Sequence, residues 1–335
     1  MTSSPSLTEQ LANLPILYIL YFVIGATIFR LALVRLQAGA ARSVAEFLES
    51  AVIAVVLVFL ILRPFVVQAY FIPSPSMVPT LMGKNGTGDR ILVNKLLYRL
   101  SKPQHDDVVV FIPPPLALDG GQEQTDGVPV NFIKRLIGMP GDVLEVHAGR
   151  VIINGTEYSH ANIRETLDNA GYFKDDPDSG DPDRDIQADH HVKFTKDAVL
   201  VDGKPMSNSD LSKYMTQQTD YPVRIIPGEV ILNGKALDEP FTAEDPDYDL
   251  KIYKGESLKD DAQGHRLDGL AISKQDYDAD NAAAPEPIPP HEYFMMGDNR
   301  NDSRDSTEWG PLEENRIVGK AQFIFWPLNR IRVIH

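Results

Sequence analysis

Two apolar runs near the N-terminus constrain this chain before anything else does. Leu14 to Val34 and Ala45 to Leu62 each approach the roughly 20 mostly apolar residues that a bilayer-crossing helix needs. Arg30 lies near one end of the first run, where a long side chain can snorkel to the interface. The second run stops at Arg63-Pro64, and Glu46 and Glu49 fall in its first turns. A buried core helix is the alternative reading of that run. Met1-Thr2-Ser3-Ser4 lacks the positive region of a cleaved leader, and no cleavage site follows the first run. Arg30, Arg35 and Arg42 gather around the connector, against a lone Glu9 before it. The positive-inside rule then puts the connector in the cytoplasm and everything after Arg63 outside.

Beyond Tyr70 the pattern changes to short β-branched or alternating runs punctuated by Gly, Pro and Asp. Asp89 to Lys95 alternates as a half-buried strand does. Asp106 to Ile112 and Val130 to Ile137 are continuous apolar runs closed by Pro113-Pro114-Pro115 and by Gly138-Met139-Pro140-Gly141. Asp142 to Val146 and Arg150 to Ile153 flank a short turn and read as a hairpin; Ile317 to Trp326 and Ile331 to His335 read as the last strands. Asn154-Gly155, Asp202-Gly203 and Asn233-Gly234 each follow an apolar triplet. Such dipeptides tolerate positive φ and favour tight hairpins. Few long helical periodicities remain outside the apolar N-terminal region.

The expected architecture is two N-terminal transmembrane helices followed by a mainly antiparallel β soluble catalytic domain with an inserted acidic, β-rich and loop-rich region. The expected boundaries are an extracytoplasmic N-terminus (1–13), spans at 14–34 and 45–62 joined by a cytoplasmic connector (35–44), and a catalytic β domain from 63–156 and 288–335. Residues 157–287 form the acidic insertion or second β subdomain.

The formal net charge of −15 belongs to that insertion. Between Glu157 and Glu286 stand 14 Lys/Arg and 29 Asp/Glu, while the other positions hold 18 of each sign. With no basic stripe, nucleic acid is excluded as a partner. The absence of cysteine removes disulfides, thiol catalysis and cysteine-bound zinc. Asp175 to Asp183 reads as a solvated loop without the ligand spacing of a calcium site, and His190-His191 has no third ligand placed by sequence. No metal is expected. Asp260 to Pro290 reads as a mobile connection.

The chemistry concentrates in two places. Just past the second apolar run, Ser74 and Ser76 are interleaved with Pro73, Pro75 and Pro79. Much later, Lys134 stands inside an apolar strand-like run. A solvated lysine is a poor base, but burial disfavours its charged form and can let it accept a hydroxyl proton. A turn serine and an outward-pointing lysine are the bland alternatives. No serine sits in a Gly-x-Ser-x-Gly elbow.

Five blocks in order carry a family resemblance: Ile72 to Leu81, Gly88 to Val93, Phe132 to Asp142, Gly297 to Ser306, and Trp309-Gly310. Together they resemble bacterial type I signal peptidases (leader peptidases), membrane-anchored Ser–Lys serine proteases that remove signal peptides. The resemblance implies Ser76 as nucleophile and Lys134 as general base. It aligns Ser303 with a serine that orients the lysine, and Ser74 with a hydroxyl of the oxyanion hole. It implies that Asp298 and Asp305 anchor their loop by pairing with Arg135 or Arg300. Ile72, Met77, Phe132 and Ile133 align with the walls of shallow apolar pockets for small side chains, giving cleavage after Ala-x-Ala-like sequences. No cofactor is implied. The implied partners are signal-peptide-bearing preproteins, the lipid bilayer and the export translocon. The implied location is the cytoplasmic (inner) membrane, multi-pass, with the catalytic domain on the outer, periplasmic face. Two departures stand out: Pro75 where the family usually has glycine, and Thr307 where many relatives have an arginine. An inactive relative that only binds secreted chains, and a specialised processing peptidase of the same chemistry, are the competing readings.

Overall fold

The computed structural model describes residues 16–35, 39–62, 66–83, 88–118, 124–125, 128–174, 186–261 and 283–335. The N-terminus 1–13, the acidic loop Asp175 to Asp183 and most of the connection after Asp260 lie outside the described residues. The chain divides into two compact units. One draws on the chain up to Phe71, Arg90–Lys102 and Gly319–Val333; the other takes Ile72–Asp89, Pro103–Val318 and Ile334–His335.

In the first unit, Ile16–Val34 is an α-helix whose segment Leu17–Val34 is long and apolar enough to cross a membrane, the one such helix among the described residues. Most of its apolar side chains face outward: Leu17, Tyr18, Phe22, Ile28 and Phe29 are all exposed, while Ile19 is buried. The second apolar run is helical but changes character. An α-helix spans Gly39–Val55 and passes into π-helical turns over Val56–Leu62. The expected pair of spans is therefore matched by one candidate, and the helix starting at Gly39 takes in part of the expected connector. Arg30 donates to Glu49 at 2.5 Å, an ion pair between the two helices. The unit also holds strand Val67–Phe71 antiparallel to Arg90–Asn94, which in turn pairs with the strand ending at Trp326. Gly319 is required there: a Cβ on it would lie 2.5 Å from the Asn94 carbonyl oxygen.

In the second unit, antiparallel strands Val108–Phe111, Phe132–Gly138, Glu292–Met296 and Leu312–Glu313 pair in that order. Every residue of Val108–Phe111 is buried, as its unbroken apolar pattern demands. A five-stranded sheet runs Lys235–Ala236, Glu229–Leu232, Leu144–His147, Tyr248–Tyr253, Glu256–Asp261. The hairpin expected between Asp142–Val146 and Arg150–Ile153 does not form. The first strand pairs with Glu229–Leu232 and Tyr248–Tyr253, and Arg150–Ile153 pairs with Val223–Ile226 and Thr156–Tyr158. Long-range apolar burial outweighs the short connection. The Asn/Asp-Gly hairpins do form: Asn154, Asp202 and Asn233 have φ of 51°, 49° and 52°, each followed by a positive-φ glycine.

The insertion has its own core. Val151, Ile153, Ile163, Leu167, Phe194 and Val201 pack together with almost no exposure, each such side chain contributing roughly 1.5–3 kcal/mol. Two short helices that the periodicity did not reveal close it, His160–Asn169 and Asn208–Thr216. Ser159 and Asn162 form a capping box on the first, and Ser207 caps the second.

Candidate active site

Prolines shape the serine segment. Ser74 is extended (φ −117°, ψ 154°), as a residue before proline must be, and Pro75–Met77 forms one 3-10 turn with proline at its start. Val78 N donates to the Pro75 carbonyl and Leu81 N to that of Met77, while Met77 and Leu81 are fully buried. The turn thus carries Ser76 on an anchored base. Pro75, where glycine was expected from relatives, is accommodated at a negative φ.

Lys134 sits centrally in Phe132–Gly138, opposite Val109. Ser76 is 6% exposed and Lys134 4%, and Lys134 Nζ lies 2.7 Å from Ser76 Oγ in a hydrogen bond. Burial pulls the Lys134 amine down from 10.5 to about 8, against the opposing pull of Asp305, Asp298, Asp302 and Glu308. As an ammonium it donates to Oγ; as an amine it accepts the serine proton. Ser74 Oγ lies 3.3 Å from Ser76 Oγ.

Arg135, the next residue, forms a fully buried fork with Asp298: Nε to Oδ1 at 2.8 Å and Nη2 to Oδ2 at 2.7 Å. Its remaining donors reach the Asp106 and His335 carbonyls and Thr80 Oγ1, and its guanidinium lies 3.9 Å from the Phe241 ring centre. Among the described residues, Arg300 pairs with a glutamate and not with an aspartate. Its fork holds Glu239 at 2.7 and 2.8 Å, and its Nε donates to the Gly297 carbonyl. Asp305, expected to meet an arginine, instead accepts from Gly297 N and Thr307 N, capping the turn Ser306–Trp309. Thr307 Oγ1 is approached by Lys259 Nζ at 3.4 Å.

Ser303 Oγ is buried and has no hydrogen-bond partner among the described residues, so the expected bond to Lys134 is not made. It is nonetheless close to the site: a Cβ on Gly297 would fall 2.2 Å from Ser303 Oγ and 2.5 Å from the Ser76 carbonyl oxygen. Of the expected pocket residues, Ile72 and Met77 are buried, while Phe132 and Ile133 are partly buried. The Phe132 ring packs against Trp309 (5.9 Å between centroids) and lies 5.7 Å from Lys134 Nζ.

Sequence reasoning missed several supports. Asn299 N donates to the Ser76 carbonyl at 3.1 Å, tying the second loop to the serine turn. Gly297 and Gly83 are needed for close approach; a Cβ on Gly83 would sit 1.5 Å from the Ser74 carbonyl oxygen. Asn299 and Gly297 lie inside a matched block, which was the available signal. Glu239 lies in the insertion and carried none.

Residues 44–326 match the family described as signal peptidase, peptidase S26. The chain is 24% identical over 270 residues to a signal peptidase I of Leptolyngbya laminosa, covering 81% of this chain and 74% of that protein. It is 25% identical over 277 residues to a signal peptidase I of Buchnera aphidicola, covering 82% and 74%. It is 27% identical over 285 residues to a signal peptidase I of Aquifex aeolicus, covering 81% and 80%.

Proposed function

The chain belongs to the signal peptidase family, peptidase S26, and from that premise we propose that it removes N-terminal signal peptides from exported preproteins, cutting after small Ala-x-Ala-like residues. Ser76 is the nucleophile and Lys134 the general base. The observation that carries this reading is the 2.7 Å contact between a buried amine and a buried hydroxyl, with the amine tuned to about 8.

In this reading the neutral Lys134 amine takes the Ser76 proton as Oγ attacks the scissile carbonyl. The oxyanion that forms meets the Ser74 hydroxyl and the Ser76 backbone N–H. Lys134, now an ammonium, returns the proton to the leaving amine, and the new N-terminus departs. Water then attacks the acyl-serine ester, giving its proton to Lys134, and Oγ recovers a proton as the carboxylate leaves. At pH 7 a group titrating at about 8 is neutral in roughly a tenth of molecules, enough for turnover. Ile72, Met77, Phe132 and Ile133 border the pockets that exclude bulky side chains. Ser303 orients Lys134, its buried, unpartnered hydroxyl beside Gly297 being the support for that role. Arg135, Asp298, Arg300 and Asp305 hold the two loops together.

The protein sits in the cytoplasmic membrane with two spans and its catalytic domain outside, divided along the expected boundaries. The exposed apolar first helix and the helical second run support this arrangement. The bilayer and the export translocon are its surroundings. Full-length enzyme in detergent, given a preprotein with Ala-x-Ala before the cut, tests the reading. Cleavage should vanish in Ser76→Ala, and kcat/KM should rise about tenfold per pH unit up to about 8 and then level. Cleavage by Ser76→Ala, or a flat profile between pH 5 and 8, overturns the assignment.

A further inference from the structure

The acidic insertion reaches into the catalytic loop. Its segment Glu239–Asp247 grips Asp298–Asn301 at several points: the Glu239–Arg300 fork, Ala243 N donating to the Asp298 carbonyl at 3.0 Å, and a set of bonds around Asn301. Asn301 Nδ2 donates to Glu244 Oε2 (2.8 Å) and to the Asp245 carbonyl (3.0 Å), and Asn301 Oδ1 accepts from Asp247 N (3.0 Å). Gln187 Nε2 donates to the Asn301 carbonyl.

That segment is itself fastened to the insertion's core. Asp245 accepts from His160 Nε2 and Phe194 N through Oδ1, and from Gly228 N through Oδ2. Glu244 Oε1 accepts from Arg164 and from Val192 N. Burial works against the Glu244 carboxylate, but the neighbouring His191, the Arg164 charge and the Val192 N–H bring it down to about 2, so Asn301 donates to a full anion. The catalytic loop has its own anchors at either end, the Arg135–Asp298 fork and the Asp305 cap. Between them, Ser303 carries a buried hydroxyl without a partner among the described residues, two positions after Asn301.

We propose that Glu239–Asp247 is a positioning element for the catalytic loop, and that Asn301 is its chief contact, setting where Ser303 lies against Gly297 and the Ser76–Lys134 pair. The acidic insertion thereby takes part in the reaction without touching substrate. This rests on the Ser76–Lys134 reading. Loosening Asn301 lets water reach Lys134 and moves the carboxylates of Asp298, Asp302, Asp305 and Glu308 that surround it, so the pH profile reports the effect.

The test uses full-length enzyme in detergent and a fluorogenic peptide carrying Ala-x-Ala before the scissile bond. Asn301→Asp sets a carboxylate against Glu244. It should lower kcat about 10- to 100-fold, the scale of a misplaced catalytic group, with KM within about twofold and the pH midpoint moved above that of wild type. Adding Glu244→Gln exchanges donor and acceptor across that one bond and leaves Oε1 for Arg164 and Val192, while the bond to the Asp245 carbonyl stays lost. The double variant should recover part of the lost kcat and move the midpoint back toward that of wild type. If Asn301→Asp does not fold, as judged by circular dichroism, Asn301→Ala is read by the same criteria. The proposal is overturned if the folded single variant keeps wild-type kcat and midpoint. It is equally overturned if the double variant regains thermal stability while kcat and midpoint stay at the single variant's values. Failure of the dyad reading looks different, as a wild type with a flat pH profile or an active Ser76→Ala.

Discussion

Replacing Lys134 with methionine should abolish cleavage and yet stabilise the fold at neutral pH. Burial moves the Lys134 amine from 10.5 to about 8. That shift of some 2.5 pH units corresponds to about 3 kcal/mol spent holding an ammonium in the folded site. Below pH 8 the amine is protonated both folded and unfolded, and the whole cost falls on the native state. Between about 8 and 10.5 the unfolded chain binds the extra proton, so wild-type stability rises with pH across that window. Above 10.5 both states are neutral and the cost is gone. Methionine has similar bulk and no charge, but it forfeits the bond to Ser76 Oγ, worth about 1 kcal/mol. The variant should therefore exceed wild type by about 2 kcal/mol at pH 7, and the advantage should disappear by pH 11. Equilibrium urea unfolding in detergent at both pH values, followed by tryptophan fluorescence, measures this. An advantage of equal size at both pH values, or none at pH 7, would show that Lys134 is not held as a strained ammonium.

Three further outcomes follow from the site. Ser74→Ala should lower kcat by roughly 10²–10³ with little change in KM, the signature of a lost oxyanion donor; steady-state kinetics with an unchanged kcat would remove Ser74 from that role. Asp298→Asn leaves the fully buried Arg135 charge without its counter-ion and should cost about 3 kcal/mol or more, read from the urea midpoint at constant m-value. Gly297→Ala puts a methyl group into contact with Ser303 and the Ser76 carbonyl. It should cut kcat about 100-fold while near-UV circular dichroism stays native, as expected when reacting groups are misplaced.

Much of the fold was legible where local chemistry decides it. The Asn/Asp-Gly dipeptides at 154, 202 and 233 demand positive φ, and each makes a hairpin. The apolar run Ile317–Trp326 is a strand over its whole length. A further hairpin, at Lys254-Gly255, was not legible because lysine gives no such signal. The strand Leu144–His147 was recognisable, but its partners were not. Local spacing favoured Arg150–Ile153, and only burial against Val230, Tyr248 and Leu250 selected the observed neighbours.

The site divides in the same way. A serine locked among prolines and a lysine inside an apolar run stood out by residue type, with a turn serine and an outward-pointing lysine as alternatives, and only the family resemblance implied nucleophile and base. The distance between them could not be read, since 58 positions of chain separate Ser76 from Lys134. The ion-pair partners were legible only as alternatives, Arg135 or Arg300 for the two aspartates. Asp298 chose Arg135, Arg300 chose Glu239, and Asp305 turned to backbone N–H groups. Residue types and their near neighbours are enough to say which side chains can do chemistry and which backbones can turn, because those are local properties. Tertiary structure alone decided how far the lysine is desolvated and which charge meets which, because burial and Coulomb energy depend on every element that closes around the site.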